Sequence, residues 1–224
     1  MTELWTTLLP IAIATTLMPV ELTLTLVMLR APGGRAAAGA WIGGKSVARL
    51  VQYAMLGGVL TVAVDDGEPG TSAVEGALLL VVAILLLVAA ARKAANQPDE
   101  DAPPPRWMTQ IAGIRPSRSF LLGAGFVGFS PKLWAFTLAA IGAIADAGLG
   151  ASERWLVYIV FVVLASSLHL GALGFAFLAP ARADATLGRL VRALERNSRA
   201  VMIVVSAAFG AWFLIKALRA LGIL

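Results

Sequence analysis

Two stretches interrupt long apolar runs with a proline beside a charge: Met18-Pro19-Val20-Glu21 and Ser130-Pro131-Lys132. A proline inside a helix removes a backbone donor and breaks the hydrogen-bond ladder. A charge at the centre of a bilayer costs at least about 2.5 kcal/mol, so by default it marks a substrate or ion path. Broken helices in matching positions of two halves point to the binding site of a secondary transporter. The pairing predicts a membrane-embedded helical fold with a site near the midplane.

Composition agrees. Of 224 residues, 59% are hydrophobic and only 14% are charged, against about 25% charged in a soluble domain. The length accommodates about six spans of about 20 residues each. The start, Met1-Thr2-Glu3-Leu4-Trp5, has no basic region and no small-residue cleavage site follows, so no removable signal peptide is expected. The absence of cysteine excludes disulfides, thiol redox chemistry and thiolate ligands. One histidine, with no HExxH and no acidic cluster in the spans, leaves little for a metal site, and no cofactor is expected. No nucleophile–base pair is apparent, and Gly123, Gly125 and Gly128 follow no strand, so neither an enzyme nor a phosphate-cradling loop is expected. The net charge of +5 comes from arginines beside the spans, which suit anionic lipid rather than nucleic acid.

Taken in order, helix one is expected over residues 4–28 with Trp5 at the interface, and a turn-rich loop follows at 30–35. Helix two, over 36–62, carries Gly39 and Gly43 for close packing, then Lys45 and Arg49 on one face. Helix three, over 72–91, is a Leu/Val/Ala run expected to be the most lipid-exposed. Residues 93–118 form a linker with a Pro- and acid-rich centre; Trp107, Met108, Ile111 and Ile114 are expected at the membrane surface. Helix four covers 120–145 and helix five 155–178. Residues 184–196 read as a separate interfacial amphipathic helix, with Leu187, Leu190, Val191 and Leu194 on one face. Helix six runs from 199 to the end.

Lys and Arg gather after helices one, three and five, while the alternate connections hold only Arg154. The positive-inside rule then puts both termini outside, with Lys216 and Arg219 as weak dissenters. Three helices per half force the second half to insert upside down, giving three-plus-three inverted repeats over 1–92 and 119–224. Both proline breaks then fall near the midplane.

By these depths Glu21, Lys45, Arg49, Lys132 and His169 cluster at mid-bilayer, flanked by Pro19, Ser130 and Pro131. One acid among three fixed cations and a histidine makes a cavity suited to an anion, with Glu21 as proton carrier or counter-ion and His169 as a second titrating group. Plainer readings stand beside this one. Glu21 with Lys45 or Arg49 is a static ion pair; the prolines are packing kinks; Lys45 snorkels to the inner face; His169 bonds a backbone carbonyl; Ser166 and Ser167 are interhelical glue.

The Pro-Val-Glu-Leu break, the Arg-x-Pro-Gly-Gly-Arg loop at 30–35 and Gly43-Gly44-Lys45 resemble the first half of the lysine exporter (LysE) superfamily. Ser130-Pro131-Lys132 is similar to that superfamily's Asn-Pro-Lys motif, with serine in place of asparagine. Leu178 to Arg182 and Leu194 to Met202 resemble the helix-five-to-six connection of the Sap/GAP family, the sulfolipid- or glycopeptidolipid-addressing proteins of mycobacteria and their relatives. The resemblance implies a LysE-like all-α fold and a role in moving complex lipids toward the surface of an actinobacterial envelope. It also implies a possible partnership with a larger lipid transporter or synthase. The expectation is therefore a proton-coupled exporter or flippase for a lipid or glycolipid with an anionic headgroup. The alternatives are a small amino-acid exporter and a non-transporting scaffold for lipid machinery. Glycine-lined faces leave room for a homodimer.

Overall fold

A computed structural model describes residues 2–65, 71–95, 111 and 113–224. Among them the longer elements are all helices and there is no strand: α1 (Thr2–Thr16), α2 (Pro19–Arg30), α3 (Gly34–Asp65), α4 (Thr71–Ala95), α5 (Pro116–Phe129), α6 (Pro131–Ala145), α7 (Ala151–Leu164), α8 (Ser167–Leu178) and α9 (Pro180–Ala220). Trp107, Met108 and most of the expected linker lie outside the described residues.

Both proline breaks occur where the sequence places them. Pro19 and Pro131 are the first residues of α2 and α6, a position where the missing N–H has no helical partner to lose. The axes bend by 53° between α1 and α2 and by 72° across the second break. The carbonyls left open at the end of α5 are partly served by Trp134, whose indole N–H donates to the Gly128 carbonyl at 2.6 Å.

A third break is not signalled by proline. Helix five, expected to be continuous, divides at Ala165-Ser166 into α7 and α8, which meet at 59°. Its cause is tertiary: the Leu168 amide, free at the start of α8, donates to Thr16 Oγ1 at the end of α1 at 3.2 Å. A side chain from one broken span thus caps the half-helix of another.

The expected separate interfacial helix at 184–196 is instead the front part of α9, which runs unbroken for 41 residues. Such a helix is about 60 Å long, roughly twice the hydrocarbon thickness. Only Met202–Ala220 is long and apolar enough to cross a membrane by itself among the described residues; with each bent pair counted as one span, up to four crossings result. Of the expected amphipathic face, Leu187 is buried and Leu190 exposed.

Helix three is not simply lipid-facing. In α4, Leu79, Val82, Ala83, Leu86 and Ala90 form a buried stripe at helical spacing, packed mainly on α9. The opposite face of α4 keeps Val81, Ile84, Leu85 and Val88 outward, as expected, and α7 likewise turns Trp155, Leu156, Ile159 and Val163 outward. Ile111 and Ile114 pack on the core beside α2. Lys216 donates to Thr7 Oγ1, tying α9 to α1.

Close helix approach uses a different glycine pair from the one expected. A Cβ at Gly39 or Gly43 would meet side-chain carbons no nearer than 3.8 Å, whereas at Gly44 it would stand 2.1 Å from the Phe120 carbonyl oxygen. At Gly123 it would stand 2.3 Å from the Trp41 carbonyl oxygen. Gly44 and Gly123 press α3 and α5 together backbone to backbone. Elsewhere α4 lies on α6, and α9 lies on both α4 and α2.

Candidate functional site

The helix breaks decide where the ionisable side chains sit. Glu21 is in the first turn of α2, Lys132 in the first turn of α6 and His169 in the first turn of α8. Lys45 and Arg49 lie one turn apart on α3. Helix N-termini carry partial positive charge, so the carboxylate of Glu21 is well placed and the ammonium of Lys132 is not. Glu21 is the acid whose charge acts on Lys132, a half-buried side chain.

Three of these elements, α2, α3 and α8, meet in one network. Lys45 Nζ lies 2.8 Å from Glu21 Oε2 and 3.2 Å from His169 Nε2. His169 Nδ1 is 2.8 Å from Thr25 Oγ1, which donates to the Glu21 carbonyl at 3.0 Å and accepts from Trp41 Nε1 at 3.1 Å. A hydroxyl has one proton and two lone pairs. With its proton on Glu21 O and one lone pair on Trp41, Thr25 has a single lone pair left, which takes the Nδ1–H of His169. Nε2 is then the bare nitrogen that accepts from the Lys45 ammonium. The network therefore assigns a neutral Nδ1–H imidazole between a charged lysine and a committed hydroxyl. Thr25 beside His169 is a hydroxyl–imidazole pair, but its proton is spent on the backbone, so it positions rather than attacks.

The site keeps unused polar capacity. Lys45 and His169 are 0% exposed, Glu21 1% and Arg49 2%. Glu21 Oε1 and both terminal nitrogens of Arg49 have no hydrogen-bond partner among the described residues. Gln52, one turn beyond Arg49, is equally buried and has neither amide atom bonded, and Ser166 Oγ is likewise alone. Buried polar atoms without partners cost about 1–3 kcal/mol each, more when charged. Glu21 set against Lys45, Arg49 and Lys132 leaves an excess of positive charge. The arrangement suits an anionic group that would accept from Arg49.

Each sequence-predicted site residue can now be placed. Glu21, Lys45 and His169 are in direct contact; Arg49 acts on both Lys45 and His169 through its charge, and the Tyr158 hydroxyl holds its carbonyl at 3.0 Å. Lys132 is at the rim. Pro19 is buried at the break, and Ser130 precedes α6 without capping it through its side chain. Lys45 does not reach for the surface, and His169 bonds Thr25 and Lys45 rather than a backbone carbonyl. Sequence reasoning missed Thr25, Trp41, Gln52 and Thr16. Spacing could have found three of them: Thr25 is four residues past Glu21, while Trp41 precedes and Gln52 follows Lys45 and Arg49 on one face.

The other faces of α2 and α8 border an apolar groove of about 470 Å³, walled by Leu22, Leu26, Leu168, Ala172, Phe175 and Leu190. It lies beside the polar network because Leu22 and Leu26 adjoin Glu21 and Thr25, and Leu168 adjoins His169.

No curated protein and no solved structure matches the chain. The family model described as Sap, sulfolipid-1-addressing protein, matches residues 8–219, nearly the whole length. On that match the chain belongs to the Sap, sulfolipid-1-addressing protein family.

Proposed function

We propose that this protein is a membrane transporter that exports or flips a lipid or glycolipid bearing an anionic headgroup toward the envelope surface, coupled to protons. The observation that carries the reading is the buried Glu21–Lys45–His169 network, which ties two helix breaks to α3, with both terminal nitrogens of Arg49 left unbonded beside it. In this reading the headgroup takes the Arg49 and Lys132 side of the site, and Glu21 exchanges its proton as Lys45 changes partners. Six spans in three-plus-three inverted repeats are the architecture that fits: α4 lies on α6 as α9 lies on α2, the correspondence that a two-fold relation between the halves would produce. The family's name supports lipid addressing, and the lateral groove beside the site favours a lipid over a small amino acid, which has no use for an apolar slot. A plasma-membrane location, a larger lipid transporter or synthase as partner, a homodimer and a non-enzymatic role belong to the same reading.

Reconstituted vesicles test it. Lys132→Ala is expected to abolish movement of a labelled anionic glycolipid while the purified protein keeps its melting temperature. Transport at the wild-type rate in that variant removes Lys132 from the mechanism. Wild-type protein that moves nothing, with Glu21 and Lys132 freely mutable in cells, leaves the scaffold reading in its place.

A further inference from the structure

We propose that the groove between α2, α8 and the front of α9 is a loading site for an acyl chain of a membrane lipid, with Arg30 and Arg35 at its end holding that lipid's anionic headgroup. The proposal rests on the lipid-transport reading above and adds to it a first binding step outside the buried network.

The groove's lining is almost wholly apolar, with Leu187 at one end. On the other side of Leu187 lies a smaller hollow of about 100 Å³ that takes in Arg30 and Arg35 between Leu29 and Pro180. Leu29 and Arg35 also border a hollow of about 550 Å³ under the loop at residues 31–36, which gives a bulky headgroup room. From Leu22 to Leu29 the path along α2 is about 10 Å, so an apolar slot leads directly to two guanidinium groups. Packing sets the place of both. Arg30 lies against Gly188, where a Cβ would meet its Cζ at 3.4 Å. Arg35 lies over the Phe177 ring at 5.4 Å. Planar guanidinium forks suit phosphate, sulfate and carboxylate alike. Charge at one end and hydrocarbon along the rest match an anionic amphiphile drawn from the arginine-rich leaflet. They match no free anion, which would gain nothing from the slot.

Native mass spectrometry on the full chain, with phosphatidylglycerol and phosphatidylcholine as probes, reads the site. Wild-type protein is expected to retain phosphatidylglycerol in preference. Arg35→Gln should cut that preference about tenfold, the loss of one charge-assisted bond, and leave some retention of both lipids. Gly171→Trp should lower retention of both, because Gly171 lines the groove and a Cβ there meets nothing within 4 Å. If that variant fails to fold, Ala172→Phe blocks the same slot. Lys132→Ala should stop transport and leave retention intact, which separates this site from the buried one. Wild-type retention in both Arg35→Gln and the groove-filling variant overturns the proposal, as does retention lost in Lys132→Ala. Should transport prove absent altogether, the lipid-specific loss in Arg35→Gln still stands as evidence for the loading site.

Discussion

Glu21 of α2 and Lys45 of α3 form a salt bridge at 2.8 Å in which neither side chain is more than 2% exposed. Removing one partner of a buried pair strands the other charge, at a cost of about 3–5 kcal/mol, while replacing both with apolar groups is often neutral. Glu21→Leu and Lys45→Met are each expected to lower stability by that amount, and the double variant to recover most of it. Denaturant unfolding in micelles measures all three. Transport should be absent from the stable double variant, which separates a working pair from a purely structural one.

The glycines of the α3–α5 contact offer a contrast within one helix. Gly44→Ala and Gly123→Ala each drive a methyl into a backbone carbonyl, which neither helix can relieve without moving. Overpacking of this kind costs about 1–3 kcal/mol. Gly43→Ala, facing only the Phe120 ring at 4.0 Å, should be neutral or slightly stabilising. Thermal unfolding of the three variants side by side gives the order; equal melting temperatures would mean that the two backbones do not touch.

Thr25 is the hub on which the state of His169 depends. Thr25→Val keeps the shape and removes the acceptor for Trp41 Nε1 and His169 Nδ1, at about 1–3 kcal/mol for each buried donor left alone. Thr25→Ser retains the hydroxyl and should cost little. Nitrogen NMR of labelled histidine is expected to show the Nδ1–H tautomer in wild type and a mixture in Thr25→Val. An Nε2–H tautomer in wild type would refute the assignment of Lys45 as donor.

Thr16 should matter more than a buried threonine at a helix end usually does. Thr16→Val leaves the Leu168 amide without its acceptor. The expected loss is about 0.5–2 kcal/mol, the worth of a helix cap. Hydrogen exchange at Leu168 should accelerate in the variant. Unchanged exchange would show that the α8 terminus is held by something else.

What could be read from the residues followed from cost. Pro19, Pro131 and the five charged or titrating side chains stand out because each is expensive in an apolar span, and the structure gathers Glu21, Lys45 and His169 into direct contact. The break at Ala165-Ser166 has no proline and is capped from α1, so its cause is outside its own stretch. Gly44 and Gly123 resemble their neighbouring glycines until the helices face each other. The front of α9 looked separate because its polarity changes near Arg199, yet no proline follows Pro180 to stop the helix. A change of polarity alters what surrounds a helix, not whether it continues.

The continuity of α9 has a mechanical meaning. Its front carries Leu187, at the end of the apolar slot, and its rear seats Gly210 against Leu86 and Leu87 of α4. Those two points are about 35 Å apart along one stiff rod. Should a lipid load as proposed above, it would press on one end of that rod, and the seat of Gly210 on α4 is where the push would arrive.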